Sequence, residues 1–166
     1  FHEVIEQSDF VESSFLGSWG ASDQDVFNRI HEDLKKSGTK PLLSVVLTTS
    51  NHTPFDFPTN VNAKFEVPLK SRENAIRYAD AALGDFIAKA KKAPYWKNTI
   101  FLIIADHDQR VADFVNPDNA EKASGRKIYF PTEGFHIPGL ILGDSIQPLQ
   151  TNNIISQIDL PPTLLA

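Results

Sequence analysis

The sequence predicts an α/β fold, a mainly parallel sheet with flanking helices, and three observations predict it. Two short apolar runs, residues 41–47 (PLLSVVL) and 98–105 (NTIFLIIA), are nearly continuous and rich in β-branched side chains, the pattern of strands buried on both faces. A segment with helical periodicity lies between them, so strand, helix and strand alternate. Each run ends abruptly in polar residues, Ser50-Asn51-His52 after the first and Asp106-His107-Asp108 after the second. In open α/β sheets, ligands gather beyond the carboxyl ends of the strands.

In chain order, residues 1–20 are mixed and aromatic, with Phe1, Phe10, Phe15 and Trp19, and close in Gly17-Ser-Trp-Gly20. A helix is predicted over residues 22–37. Val26, Phe27, Ile30 and Leu34 recur near the helical period, Ser22 and Asp23 are cap candidates, and Gly38 follows the end. Asp23 and Asp25 in its first turn and Lys35-Lys36 in its last suit the helix dipole. Residues 53–69 carry Pro54, Pro58 and Pro68 and read as a surface excursion. The second helix runs from Ser71, its cap, to about Lys92; Ala75, Ile76, Ala79, Leu83, Phe86, Ile87 and Ala90 line one face, and Pro94 ends it. Residues 112–134 lack a period and read as a long loop. Residues 135–143 (FHIPGLILG) are a third apolar run, whose Pro138 favours a sheet-edge strand. The tail from Ile154 to Leu165 reads as a turn feeding a helix.

Composition narrows the chemistry. A length of 166 residues suits one domain. The absence of cysteine confines any metal site to imidazole and carboxylate ligands. A formal charge of −5 argues against broad nucleic-acid binding, and no apolar run approaches the roughly 18–20 residues that span a bilayer.

Asp106 and His107 pair a carboxylate with an imidazole, a donor set that suits Zn²⁺ or Mn²⁺; the competing reading is a capping Asp beside a loop His. His52, between Ser50-Asn51 and Thr53-Pro54, is placed to meet an anionic oxygen, or else is a surface loop histidine. Arg110 could grip a phosphate or sulfate in bidentate fashion, or pair with Asp108 or Asp113. Trp19 reads as a half-buried core residue, with an aromatic wall beside a ligand as the alternative. His136 reads as packed core, and His2 and His31 as exposed. There is no G-x-S-x-G, Walker loop or G-x-G-x-x-G, so the residues alone stop at a parallel α/β domain with an anion or metal site at its strand ends.

Five segments in series carry a resemblance. Leu47-Thr-Thr-Ser-Asn-His-Thr-Pro-Phe55, Tyr78-Ala-Asp-Ala-Ala-Leu-Gly-Asp-Phe86, Asn98-Thr-Ile-Phe-Leu-Ile-Ile-Ala-Asp-His-Asp108, residues 135–143 and Ser156-Gln-Ile-Asp-Leu-Pro-Pro-Thr-Leu-Leu165 resemble the sulfatase-type domain of the alkaline phosphatase superfamily. The likeness is to the lipoteichoic acid synthase-like phosphoglycerol transferases, with phosphoethanolamine transferases as cousins. It implies an alkaline phosphatase/sulfatase-like fold of which residues 1–166 are the C-terminal portion only, with the nucleophile and a further acidic metal ligand upstream and no nucleophile in this segment, which alone would be inactive.

The resemblance further implies a divalent metal (Mn, Zn, Mg or Ca) with Asp106 and His107 as two of its ligands. It makes His52 a catalytic and substrate-binding residue at the transferred head group; Arg110, where branches of the family vary, is a candidate substrate contact. The implied reaction moves a phosphoglycerol or phosphoethanolamine head group through a covalent Thr intermediate, from a phospholipid donor to a glycan or lipid acceptor. The implied setting is a membrane-anchored protein with this domain periplasmic or extracellular. Hydrolysis of sulfate esters is the alternative reaction, and a non-catalytic binding module on the same fold the alternative class.

Overall fold

The computed structural model describes residues 2–61, 63–107 and 136–165. The chain divides into two compact units, Phe1–Ile100 and Phe101–Ala166.

The first unit begins with a minimal antiparallel hairpin, β1 (Leu16–Gly17) and β2 (Gly20–Ala21), turned over Ser18-Trp19. Gly20 sits at φ +130°, a backbone conformation that side chains strongly resist. Helix α1 (Asp23–Ser37) follows at once. Its start is the one the sequence marks: Ser22 accepts from the Asp25 N–H, while the Ser22 hydroxyl donates to the Asp25 carboxylate at 2.7 Å. Gly38, at φ +61°, terminates it. Helix α2 (Arg72–Ala90) is capped by Ser71, again as expected.

The two helices pack on each other. Phe27 and Leu34 of α1 meet a stripe of α2 formed by Ala75, Tyr78, Ala82, Phe86 and Ala90, and Phe27 stacks on Phe86 with centroids 5.3 Å apart. Ala75, Phe86 and Ala90 are buried as expected, but the stripe is turned slightly: Ile76 is 53% exposed, and Tyr78 is fully buried. Small alanines let the helices approach, while the Tyr78 hydroxyl accepts the Gln24 N–H near the start of α1, a polar tie that Ile76 could not make. Beyond α2, a 3-10 turn, Pro94–Asn98, brings Tyr95 onto His31 with 2.6 Å between hydroxyl and Nδ1. His31 is therefore a half-buried, bonded residue rather than the exposed one expected.

Residues 41–47 depart from expectation. They form no strand; Leu43 is 82% and Leu47 78% exposed. A run encoded for burial on both faces needs a neighbouring strand on each side, and among the described residues no strand pairs with it.

In the second unit, β3 (Phe101–Ile104) pairs with β4 (Gly139–Leu142) in the register Phe101↔Leu142 to Ile104↔Gly139. The pairing is antiparallel, as is the only other one among the described residues, so the mainly parallel arrangement expected is not what these strands show. An apolar run buried on both faces reads alike whichever way its neighbour points, so direction is not written in the pattern. Pro138 stands just before β4 and removes no ladder hydrogen bond. The tail folds as expected: a 3-10 turn, Gln157–Asp159, opened by a Ser156–Asp159 capping box, leads into a helix, Leu160–Leu165. The expected loop over 112–134 lies outside the described residues.

Candidate functional site

His52 occupies a tight turn of the first unit. Its N–H donates to the Thr49 carbonyl at 3.2 Å, and its own carbonyl accepts from Phe55 N–H at 2.7 Å. Phe55 is held at φ +62°, in the left-handed region that non-glycine residues seldom adopt. Three groups clamp this turn from outside it. Asp23, fully buried at the start of α1, accepts the N–H groups of Thr49 (2.9 Å) and Ser50 (3.1 Å) on one carboxylate oxygen. The Thr49 hydroxyl donates to the Ala21 carbonyl at 2.9 Å. From the hairpin, the Trp19 indole N–H donates to the Thr53 carbonyl at 2.8 Å, and its ring lies on the His52 imidazole with centroids 3.7 Å apart.

The same hairpin also grips Asp56. Ser18 donates through its hydroxyl at 2.6 Å and its N–H at 3.3 Å, and Lys70 closes an ion pair at 2.6 Å. The Lys70 ammonium foremost, and then Ser18, hold the Asp56 carboxyl below the usual carboxylate range. Gly17 makes this approach feasible, because a Cβ there would stand 3.1 Å from that of Asp56. Trp19, expected as a half-buried core residue, is 56% exposed, and its ring covers the His52 turn rather than the core.

The second unit carries the other cluster. The chain leaves regular pleating after Ile104, and Asp106 and His107 stand side by side, both exposed. One oxygen of Asp106 accepts the His107 N–H at 2.9 Å, and the other lies 3.6 Å from His107 Nε2. The Gln157 side-chain amide donates to the carbonyls of Ala105 (3.1 Å) and Asp106 (3.0 Å), fixing the backbone from which both side chains project.

This pair fits a divalent ion as two of its ligands. Its carboxylate oxygen and imidazole nitrogen stand 3.6 Å apart and are donor types that such an ion accepts. No group of three or more potential ligands assembles among the described residues, so a complete coordination sphere needs donors beyond these two. Asp108 and Arg110 lie outside the described residues. His136, expected in the core, is exposed.

The structure thus joins Asp106 to His107, and His52 to Trp19, within their separate units. Sequence reasoning missed Gln157, and assigned Asp23 only to capping and the helix dipole. Neither residue carries a local signal for its second role, since each acts on a segment distant in the chain.

The sulfatase family matches the chain over residues 1–166. The lipoteichoic acid synthase-like protein YvgJ of Bacillus subtilis is 26% identical over 160 residues, covering 89% of this chain and 25% of that protein. Phosphoglycerol transferase I of Citrobacter koseri is 28% identical over 112 residues, covering 58% of this chain and 14% of its own. A crystal structure of a protein in the alkaline phosphatase superfamily from Vibrio parahaemolyticus superposes with a TM-score of 0.84 at 41% identity, over 99% of this chain and 38% of that one. The chain therefore spans a quarter or less of the length of these curated relatives.

Proposed function

Because the chain belongs to the sulfatase family, with a structural counterpart in the alkaline phosphatase superfamily, we propose that it forms part of a metal-dependent phosphotransferase. The observation that carries this reading is the Asp106–His107 pair, presented at a strand end with its donor atoms 3.6 Å apart and its backbone pinned by Gln157. Kinship to a protein named phosphoglycerol transferase I supports phosphoglycerol, or the related phosphoethanolamine, as the group moved. The donor is a phospholipid and the acceptor a glycan or lipid.

In this reading Asp106 and His107 hold a divalent cation, Mn, Zn, Mg or Ca, and the cation supplies Lewis-acid activation of a hydroxyl when bound. The hydroxyl is that of a threonine outside residues 1–166, which takes the head group covalently before passing it on. His52 meets the head group's anionic oxygens and gives a proton to the departing oxygen. Arg110 is a further phosphate contact on sequence grounds. The intact protein is membrane-anchored with this domain periplasmic or extracellular; among the described residues no helix is long and apolar enough to cross a membrane.

The test compares the intact protein with an Asp106→Ala/His107→Ala double variant, titrated with Mn²⁺ and Zn²⁺ and assayed on vesicles containing phosphatidylglycerol or phosphatidylethanolamine. The expected result is loss of both metal binding and head-group transfer in the variant. Equal metal affinity in both proteins would sink the assignment, and release of sulfate from an aryl sulfate with no head-group transfer would make the enzyme a sulfatase. Metal binding without either turnover would leave a binding module.

A further inference from the structure

Trp19 is a large aromatic residue with 56% of its surface exposed, so burial does not account for its placement. What it touches does. Its indole N–H and the His52 Nδ1 converge on one acceptor, the Thr53 carbonyl, at 2.8 and 3.2 Å, while the indole face lies against the imidazole at a tilt of 38°. A carbonyl oxygen only accepts, and its two lone pairs can serve two donors. Nδ1 must therefore carry the hydrogen, and Nε2 is the nitrogen left to address a ligand. In the neutral ring that nitrogen is a lone pair; on protonation it becomes an N–H, and that is the form that meets an anionic oxygen and can give up a proton. The hairpin that delivers Trp19 is fixed by Gly17, packed against Asp56, and by Gly20 at φ +130°, and is tied to the far end of the same turn through Ser18 and Asp56.

We infer that Trp19 is the positioning residue for His52: it clamps the imidazole and its supporting carbonyl so that Nε2 is the nitrogen presented to an anionic phosphate ester. This rests on the reading of His52 as the head-group contact. Without the indole, the exposed imidazole is free to turn about its side-chain torsions, and either nitrogen can face outward.

The experiment uses the intact protein and the variants Trp19→Phe, Trp19→Ala, His52→Ala and Trp19→Ala/His52→Ala. Turnover is measured on phosphatidylcholine vesicles carrying phosphatidylglycerol or phosphatidylethanolamine, and the His52 tautomer by side-chain ¹⁵N NMR. Trp19→Ala should lower kcat on the order of 100-fold, the scale of a misplaced reacting group, with KM little changed. Trp19→Phe, which keeps a ring face but lacks the N–H, should recover part of the loss. The double variant should be no slower than His52→Ala alone, because Trp19 acts through His52. In the wild type His52 should be the Nδ1–H tautomer, shifting toward Nε2–H in Trp19→Ala. Independent, multiplying losses in the double variant, or an unchanged tautomer in Trp19→Ala, overturn the inference. Full turnover in His52→Ala instead withdraws the head-group role of His52, and the tautomer measurement still decides whether Trp19 holds the ring.

Discussion

The side-chain amide of Gln157 donates to the main-chain carbonyl of Asp106 at 3.0 Å and to that of Ala105 at 3.1 Å. One side chain from the closing turn thereby holds the peptide units where β3 stops being a strand. Those carbonyls have left the ladder; Gln157 donates to both and fixes the direction in which Asp106 and His107 project. Gln157→Ala should weaken Mn²⁺ or Zn²⁺ binding by the intact protein about 10- to 100-fold, as loss of an outer support does at metal sites, with the circular dichroism spectrum retained. Isothermal titration decides it; wild-type affinity in the variant rejects the supporting role.

Asp23 does for the His52 turn what Gln157 does for the strand end. One of its carboxylate oxygens accepts two N–H groups, and the residue has no exposed surface. Removing it leaves the buried Ser50 N–H and the part-buried Thr49 N–H without this acceptor, so Asp23→Ala should cost about 2–4 kcal/mol. Asp23→Asn keeps an oxygen for them and should cost about 1 kcal/mol. Urea denaturation of the intact protein measures both, and equal losses in the two variants would show that the paired N–H groups are not the cause.

Asp56 should contribute a pH-dependent share of stability. Lys70 first, then Ser18, hold its carboxyl below the ordinary aspartate value, which is about 3.9. The folded protein therefore binds this proton less readily than the unfolded chain does. The contribution is complete above the unfolded value and is lost as pH falls through the folded one. Asp56→Asn should lower the melting temperature at pH 7, and the gap to wild type should close below about pH 4. A gap of the same size at pH 3 counts against the ion pair.

The α1–α2 contact should be sensitive to volume. Phe86 is 5% exposed and stacks on Phe27, so Phe86→Ala should cost about 3–5 kcal/mol through the cavity it opens. Phe86→Leu, which refills most of the space, should cost about 1.5 kcal/mol or less. Chemical denaturation midpoints at constant slope test this, and a mild Phe86→Ala would mean that the helices close over the gap.

What the chain encodes locally could be read directly from it. Ser22 and Ser71 cap the helices they were expected to cap, Gly38 ends α1, Lys35 and Lys36 occupy its last turn, and the strand at Phe101–Ile104 lies inside the run that announces it. Periodicity and capping involve residues within about one turn of each other, so they survive in a linear reading. The same holds for Asp106 and His107, neighbours in the chain and therefore neighbours in space. Other features required the tertiary structure. The antiparallel direction of β3 and β4, the choice of Tyr78 over Ile76 for the helix interface, and the hold of Trp19 on His52, Asp23 on Ser50 and Gln157 on Asp106 all join residues remote in sequence. Such contacts are selected by which surfaces fit and which buried polar groups find partners once the chain has packed. A local pattern can name the candidate side chains in each unit, but only packing decides which atom of each is held and which is turned outward.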